Sequence, residues 1–122
     1  MILAEPTAKT AAIAVNEAES LIEISGRSYP EDLHSFWDPL IQQMEAWVAE
    51  HPKTTLQFDL NYHNSGSTRI IINLIKFCEA QLGLGRKVEM RWFYDEEDEQ
   101  TAEQGEDYLD ICIDLPFRLE KK

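Results

Sequence analysis

The fold turns on Thr55-Leu56-Gln57-Phe58-Asp59-Leu60-Asn61-Tyr62, then His63-Asn64-Ser65-Gly66-Ser67-Thr68-Arg69, then Ile70-Ile71-Ile72-Asn73-Leu74-Ile75. The first segment has a period of two. Leu56, Phe58, Leu60 and Tyr62 fall on one face and Thr55, Gln57, Asp59 and Asn61 on the other, the pattern of a half-buried strand. From Arg69 to Leu82 apolar residues return at three- and four-residue intervals, which reads as a helix buried on much of its circumference. Leu82-Gly83-Leu84-Gly85 ends it with C-cap chemistry. Val88 to Tyr94 alternates again, with Val88, Met90, Trp92 and Tyr94 opposed to Glu89, Arg91 and Phe93. Strand, helix and strand in this order imply a parallel pair joined by a right-handed crossover.

Upstream, residues 1–9 read as a loose lead-in and residues 10–122 as one domain. Residues 10–15 and Leu21 to Ser28 read as two strands around the polar turn Asn16-Glu17-Ala18-Glu19-Ser20, hence an antiparallel hairpin. Gly26 marks a bulge near the end of the second strand. Leu33, Phe36, Trp37, Leu40, Ile41, Met44, Trp47 and Val48 follow helical spacing. Pro39 within that run implies either a kink or a second helical piece capped by Asp38.

Downstream, Asp95-Glu96-Glu97-Asp98-Glu99 is an exposed acidic loop leading into a polar helix. Leu109 to Ile113 fits helix or strand, and Leu115-Pro116-Phe117-Arg118-Leu119 reads as an edge strand that tolerates its proline. The expected fold is α/β: a single domain with a mixed sheet of about four or five strands and helices packed against it.

The chain has 122 residues, two cysteines and a formal net charge of −12. That length supports a core without covalent staples. Such acidity disfavours nucleic acid, whose phosphates require basic surface, and anionic membranes. It permits a partner with a basic docking face. No apolar run reaches the roughly 18 residues of a membrane span, and the expectation is a cytoplasmic protein.

The chemistry concentrates at the junction after the central strand. A strand-to-helix junction directs backbone N–H groups and the positive end of a helix dipole at one place. There, Asn64, Ser65, Gly66, Ser67, Thr68 and Arg69 crowd small polar side chains together. Such a loop suits a phosphoacceptor, and it equally suits serines that merely cap a helix. Gly83-Leu84-Gly85 lacks the dinucleotide fingerprint, and no Walker sequence or nucleophile elbow is present. His63 with Ser65 leaves open a small hydrolase, and the Asp95–Glu99 run leaves open a carboxylate metal site. No zinc spacing exists among the histidines and cysteines, and no cofactor is expected.

Several segments together resemble the SiaC family of regulatory phosphoproteins, which are STAS-like domains of the anti-sigma-factor-antagonist type. They are Ile22-Glu23-Ile24-Ser25-Gly26-Arg27-Ser28, Asn64-Ser65-Gly66-Ser67-Thr68, Trp92-Phe93-Tyr94-Asp95-Glu96-Glu97-Asp98-Glu99, Gly105-Glu106-Asp107-Tyr108 and Leu115-Pro116-Phe117. The family loop is richer in serine and threonine, and Gly66 departs from it. The resemblance implies a partner-switching protein, not an enzyme, with Thr68 at the phosphothreonine position and Ser65 and Ser67 as rival acceptors. It implies a dedicated Ser/Thr protein kinase, a PP2C-type phosphatase, and an unphosphorylated form that activates a diguanylate cyclase in cyclic di-GMP signalling and biofilm formation. The candidate docking surfaces are the acidic segment with Asp95, Glu96, Glu97 and Asp98, and the helix that follows the loop. An antagonist-type binding module with another target is the alternative.

Overall fold

The computed structural model describes residues 1–122. Its elements run β1 (Ile2–Ala4), β2 (Ala12–Asn16), β3 (Leu21–Ser28), α1 (Leu33–Glu50), β4 (Lys53–His63), α2 (Ser65–Gly83), β5 (Lys87–Tyr94), α3 (Glu99–Ile111) and β6 (Phe117–Lys121). The six strands form one sheet in sequence order. β2 runs antiparallel to both of its neighbours, β1 and β3, whereas β3, β4, β5 and β6 are parallel and joined through the helices.

The period-two pattern of each strand becomes a shared core face. One row runs Ile13, Ile24, Phe58, Trp92 and Leu119 across five strands, and the next runs Val15, Ile22, Leu56, Met90 and Phe117. Met44, Val48, Ile71, Leu74, Ile75 and Cys78 of the helices belong to the same buried cluster. The alternate strand residues, including Glu23, Thr55, Gln57, Glu89 and Arg91, stay half-buried on the opposite face. Burying the helical stripe against this face supplies the main driving force of folding.

The sheet has six strands, where four or five were expected, and the extra strand lies in the expected lead-in. Ile2–Ala4 pairs with β2, and the Met1 ammonium donates to the Val15 carbonyl at 2.9 Å. Glu5 to Lys9 carry no strand or helix. Three residues offer no period to read, so only tertiary pairing defines β1. Pro39 lies on the exposed side inside a single helix, α1, capped by the Asp32 carboxylate. Leu109 to Ile111 complete α3, after which Cys112 is the C-cap.

The irregularity expected at Gly26 is present, but its extra residue lies in β4 and not in β3: Gly26 has φ +95°, and the pairing jumps from Gly26↔Leu60 to Arg27↔Tyr62. Its consequence falls on the partner strand. The skipped residue, Asn61, reverses the alternation of β4. Tyr62 therefore leaves the apolar face expected for it and is 43% exposed, while His63 turns inward and is 5% exposed. Bulges re-aim side chains in this way, and here the re-aimed side chain belongs to the candidate site.

Candidate functional site

The junction after β4 is the start of a helix rather than a free loop. Asn64, and neither serine, is the N-cap of α2: its backbone is extended and its Oδ1 accepts from the Ser67 N–H at 2.9 Å. Ser65, Gly66, Ser67 and Thr68 occupy the first turn. Gly66 lies beneath the start of α1, where a Cβ would stand 3.3 Å from Leu33 Cδ2. The family departure at this position thus coincides with a close approach.

Each hydroxyl has a distinct environment. Ser65 is exposed. Ser67 is 1% exposed, donates to the Ser28 carbonyl at 2.9 Å and lies 2.7 Å from Ser28 Oγ. The Trp37 indole N–H reaches Ser28 Oγ at 3.3 Å. One hydroxyl pair thus ties β3, α1 and α2 together. Ser67 has no path to an incoming group.

Thr68 is half-buried and faces α3. Its Oγ1 donates to the Asn64 carbonyl at 3.3 Å and accepts from the Tyr108 hydroxyl at 3.2 Å. Tyr108 OH lies 2.8 Å from His63 Nε2. Since the Tyr108 proton goes to Thr68, the imidazole must carry its proton on Nε2 and donate it to Tyr108. A directional chain results: His63 to Tyr108 to Thr68 to the Asn64 carbonyl.

Burial keeps this chain neutral. It lowers the His63 pKa to about 4 and raises that of Tyr108. The ring of Trp92 packs edge-on against both His63 and Tyr108, with centroids 5.6 and 5.2 Å away. Thr68, Ile72, Gln104, Asp107, Tyr108 and Ile111 line a cavity of about 210 Å³ between α2 and α3. Ile72 of α2 and Ile111 of α3 give it apolar wall on both helices, Thr68 and Gln104 are polar, and Asp107 supplies the one carboxylate.

α3 is set at close range. A Cβ at Gly105 would stand 2.4 Å from Trp92 Cδ1, so only glycine permits this approach. The Trp92 indole N–H donates to the Thr101 carbonyl at 2.9 Å. Beyond α3, the Glu79 carboxylate accepts from the N–H groups of Ile113, Asp114 and Leu115 at 2.5, 3.0 and 2.6 Å.

The predicted site residues are only partly brought together. Asn64, Ser65, Gly66, Ser67 and Thr68 form one turn. Arg69 is exposed and makes no ion pair there. Asp95 and Asp98 are engaged in backbone turns: Asp95 Oδ1 accepts from the Glu97 N–H, and Asp98 caps α3 through the Thr101 N–H and Oγ1. Glu96 pairs with Lys121 at 3.6 Å, and Glu97 is exposed. These four residues lie at the opposite end of α3 from Tyr108, about 15 Å along its axis.

The two alternatives lose their geometry. His63 addresses Tyr108, not Ser65. No group of three His, Cys, Asp or Glu side chains is placed to hold a metal ion. Neither thiol is activated, since burial pushes Cys78 up to about 12 and Cys112 up to about 11. No helix is long and apolar enough to cross a membrane. In the sequence, Tyr108 and Asp107 stand out only through the family resemblance. His63 and Tyr108 are 45 residues apart, and no local pattern links them.

Residues 4–122 match the model of the SiaC family regulatory phosphoproteins. An uncharacterised protein of Pseudomonas aeruginosa (strain UCBPP-PA14) is 28% identical over 116 residues, covering 93% of this chain and 90% of that one. The fold is also similar to a chain in the crystal structure of the diguanylate cyclase SiaD in complex with its activator SiaC from Pseudomonas aeruginosa. The TM-score is 0.87 and the identity 27%, over 96% of each chain. The crystal structure of apo-SiaC from the same organism gives 0.86 and 27%, over 98% of each chain.

Proposed function

The chain belongs to the SiaC family of regulatory phosphoproteins, and from that premise we propose that it is a phosphorylation-controlled activator of a diguanylate cyclase. The reading is supported by a likeness to SiaC that extends over nearly the whole chain. The observation that carries the site is Thr68: a half-buried hydroxyl at a groove between two helices, while Ser67 is sealed in the core and Ser65 stands free of the groove.

In this reading a dedicated Ser/Thr protein kinase transfers phosphate to Thr68. Thr68 Oγ1 attacks the terminal phosphorus of a nucleoside triphosphate, the bond to the bridging oxygen breaks, and the diphosphate leaves. The hydroxyl proton passes to a base of the kinase. A PP2C-type phosphatase returns the hydroxyl. The protein is itself no enzyme, works in the cytoplasm, and docks on the cyclase through the surface around the groove. Phosphate adds about 1.5 to 2 negative charges there, which an apolar partner surface resists.

The test is to combine the protein with its cognate kinase and cyclase. One phosphate is expected by intact mass, mapping to Thr68, with cyclic di-GMP synthesis stimulated by the unmodified form and not by the modified one. Full labelling of Thr68→Ala, or equal stimulation by both forms, would overturn the reading.

A further inference from the structure

A phosphate on Thr68 has to enter a space whose other wall is α3. Oγ1 lies within hydrogen-bond reach of Tyr108 OH, and the cavity in front of it is closed by Gln104, Asp107, Tyr108 and Ile111 of the same helix. α3 carries Glu99, Glu103, Glu106, Asp107 and Asp110 and has no basic residue. In the facing turn of α2, the backbone donors of Ser67 and Thr68 are already engaged. Thr68 is already the fourth helical residue, its own N–H is bonded to the Asn64 carbonyl, and Asn64 Oδ1 occupies the Ser67 N–H. Arg69, on the next position, is exposed and is not among the residues lining the cavity.

The attachment of α3 on this side is correspondingly specific. Its polar ties are Thr101 to Trp92, near its start, and Tyr108 to Thr68 and His63, near its end. Phosphorylation removes the Thr68 proton that bonds Asn64 and converts the acceptor of the Tyr108 bond into an ester oxygen. It also brings a dianion into the cavity that the exposed Asp107 helps to line. Like charges facing one cavity repel, the more so where solvent is excluded between them.

We propose that α3 is the moving part of the switch. Tyr108 is the positioning residue that clasps α3 to the unmodified Thr68 hydroxyl, and phosphate on Thr68 releases the Gln104–Ile111 half of the helix by repulsion from Asp107. The partner therefore meets two different surfaces, not one surface with an added charge. The clasp also works against the kinase, because the Thr68 hydroxyl is engaged at both its proton and a lone pair until α3 yields.

This inference rests on the phosphoacceptor reading, and the experiment separates the two. Wild type, Asp107→Asn and Tyr108→Phe are each prepared unmodified and phosphorylated, with the phosphate mapped by mass spectrometry, and amide hydrogen exchange is followed. In phosphorylated wild type, exchange over residues 104–111 should rise at least tenfold while β4 and β5 are unchanged. Phosphorylated Asp107→Asn should show a rise below about threefold. Unmodified Tyr108→Phe should show part of the rise without any phosphate and should accept phosphate several-fold faster. Phosphate mapped to Thr68 with α3 exchange unaltered would overturn the moving helix and leave the acceptor standing. Phosphate mapped elsewhere would overturn both.

Discussion

Tyr108 donates its phenolic proton to Thr68 Oγ1 across 3.2 Å, joining the last third of α3 to the first turn of α2. The contact spans 40 residues of sequence. It is long for an O–H···O bond, so its net worth belongs at the lower end for neutral pairs. A double-mutant cycle with Tyr108→Phe and Thr68→Val should give a coupling of about 0.5 to 1 kcal/mol by urea denaturation. Strict additivity of the two substitutions would show that no bond forms in solution.

His63 gives the fold a pH dependence of definite sign. Its native pKa is lowered to about 4 by burial, against about 6.5 in an unfolded chain. The unfolded state therefore takes up a proton first as pH falls. Stability is full above about pH 6.5, declines through the interval, and stops declining from this source below about pH 4. The total contribution is up to about 3 kcal/mol. Replacing His63 by Gln should flatten the profile between pH 6.5 and 4, and the difference between the two denaturation profiles measures it. A variant with the wild-type slope would assign the titration elsewhere.

The period-two strands and the long helices were legible because every strand buries one face and every helix one stripe. Phe58, Met90 and Trp92 occupy the apolar positions that alternation gives them. The candidate turn from Asn64 to Thr68 was legible as a strand-to-helix junction, and its surroundings were not. Gly26 suggests a bulge in β3, yet the extra residue is Asn61 of β4, which exchanges Tyr62 for His63 on the core face. Asn64 displaced the serines as cap because its side chain stands at the turn where the Ser67 N–H is free. Tyr108 enters the site through tertiary packing alone, which spacing does not encode.

Gly105 should tolerate no side chain. A Cβ there would lie 2.4 Å from Trp92 Cδ1 and 2.7 Å from Leu119 Cδ2, and Trp92 is fully buried. The clash is with an immobile ring, so α3 must lift. Helix propensity favours alanine by about 1 kcal/mol, and overpacking opposes it by about 1 to 3 kcal/mol or more. Gly105→Ala should therefore be net destabilising by about 1 to 2 kcal/mol and should weaken the near-ultraviolet dichroism of the tryptophans. A more stable variant would mean that α3 sits farther from the sheet.

Glu79 holds the turn after α3 with one carboxylate shared among three backbone N–H groups. Charge-assisted bonds of this kind are stronger than neutral ones. Glu79→Gln retains one acceptor oxygen and adds donors facing donors. A loss of about 1 to 2 kcal/mol is expected, with hydrogen exchange accelerated at Ile113 to Leu115 before the rest of the chain. Unchanged exchange there would show that water replaces the carboxylate at no cost.

Ser65 and Ser67, two residues apart, should respond to alanine in opposite ways. Ser65 is exposed in the first helical turn, where alanine is at least as good a helix former, so Ser65→Ala should shift stability by less than about 0.5 kcal/mol. Ser67 is 1% exposed, and its Oγ serves both the Ser28 carbonyl and the Ser28 hydroxyl. Its removal leaves the Ser28 hydroxyl proton without that acceptor in the core, next to the Trp37 indole that also addresses Ser28 Oγ. Ser67→Ala should cost about 1 to 3 kcal/mol. Measured by urea denaturation, the reverse order would make Ser65 the structural residue and Ser67 the accessible one. Ser67 would then again rival Thr68 as acceptor. The expected order keeps Ser67 as the fixed post against which the first turn of α2, and the Thr68 hydroxyl with it, is held.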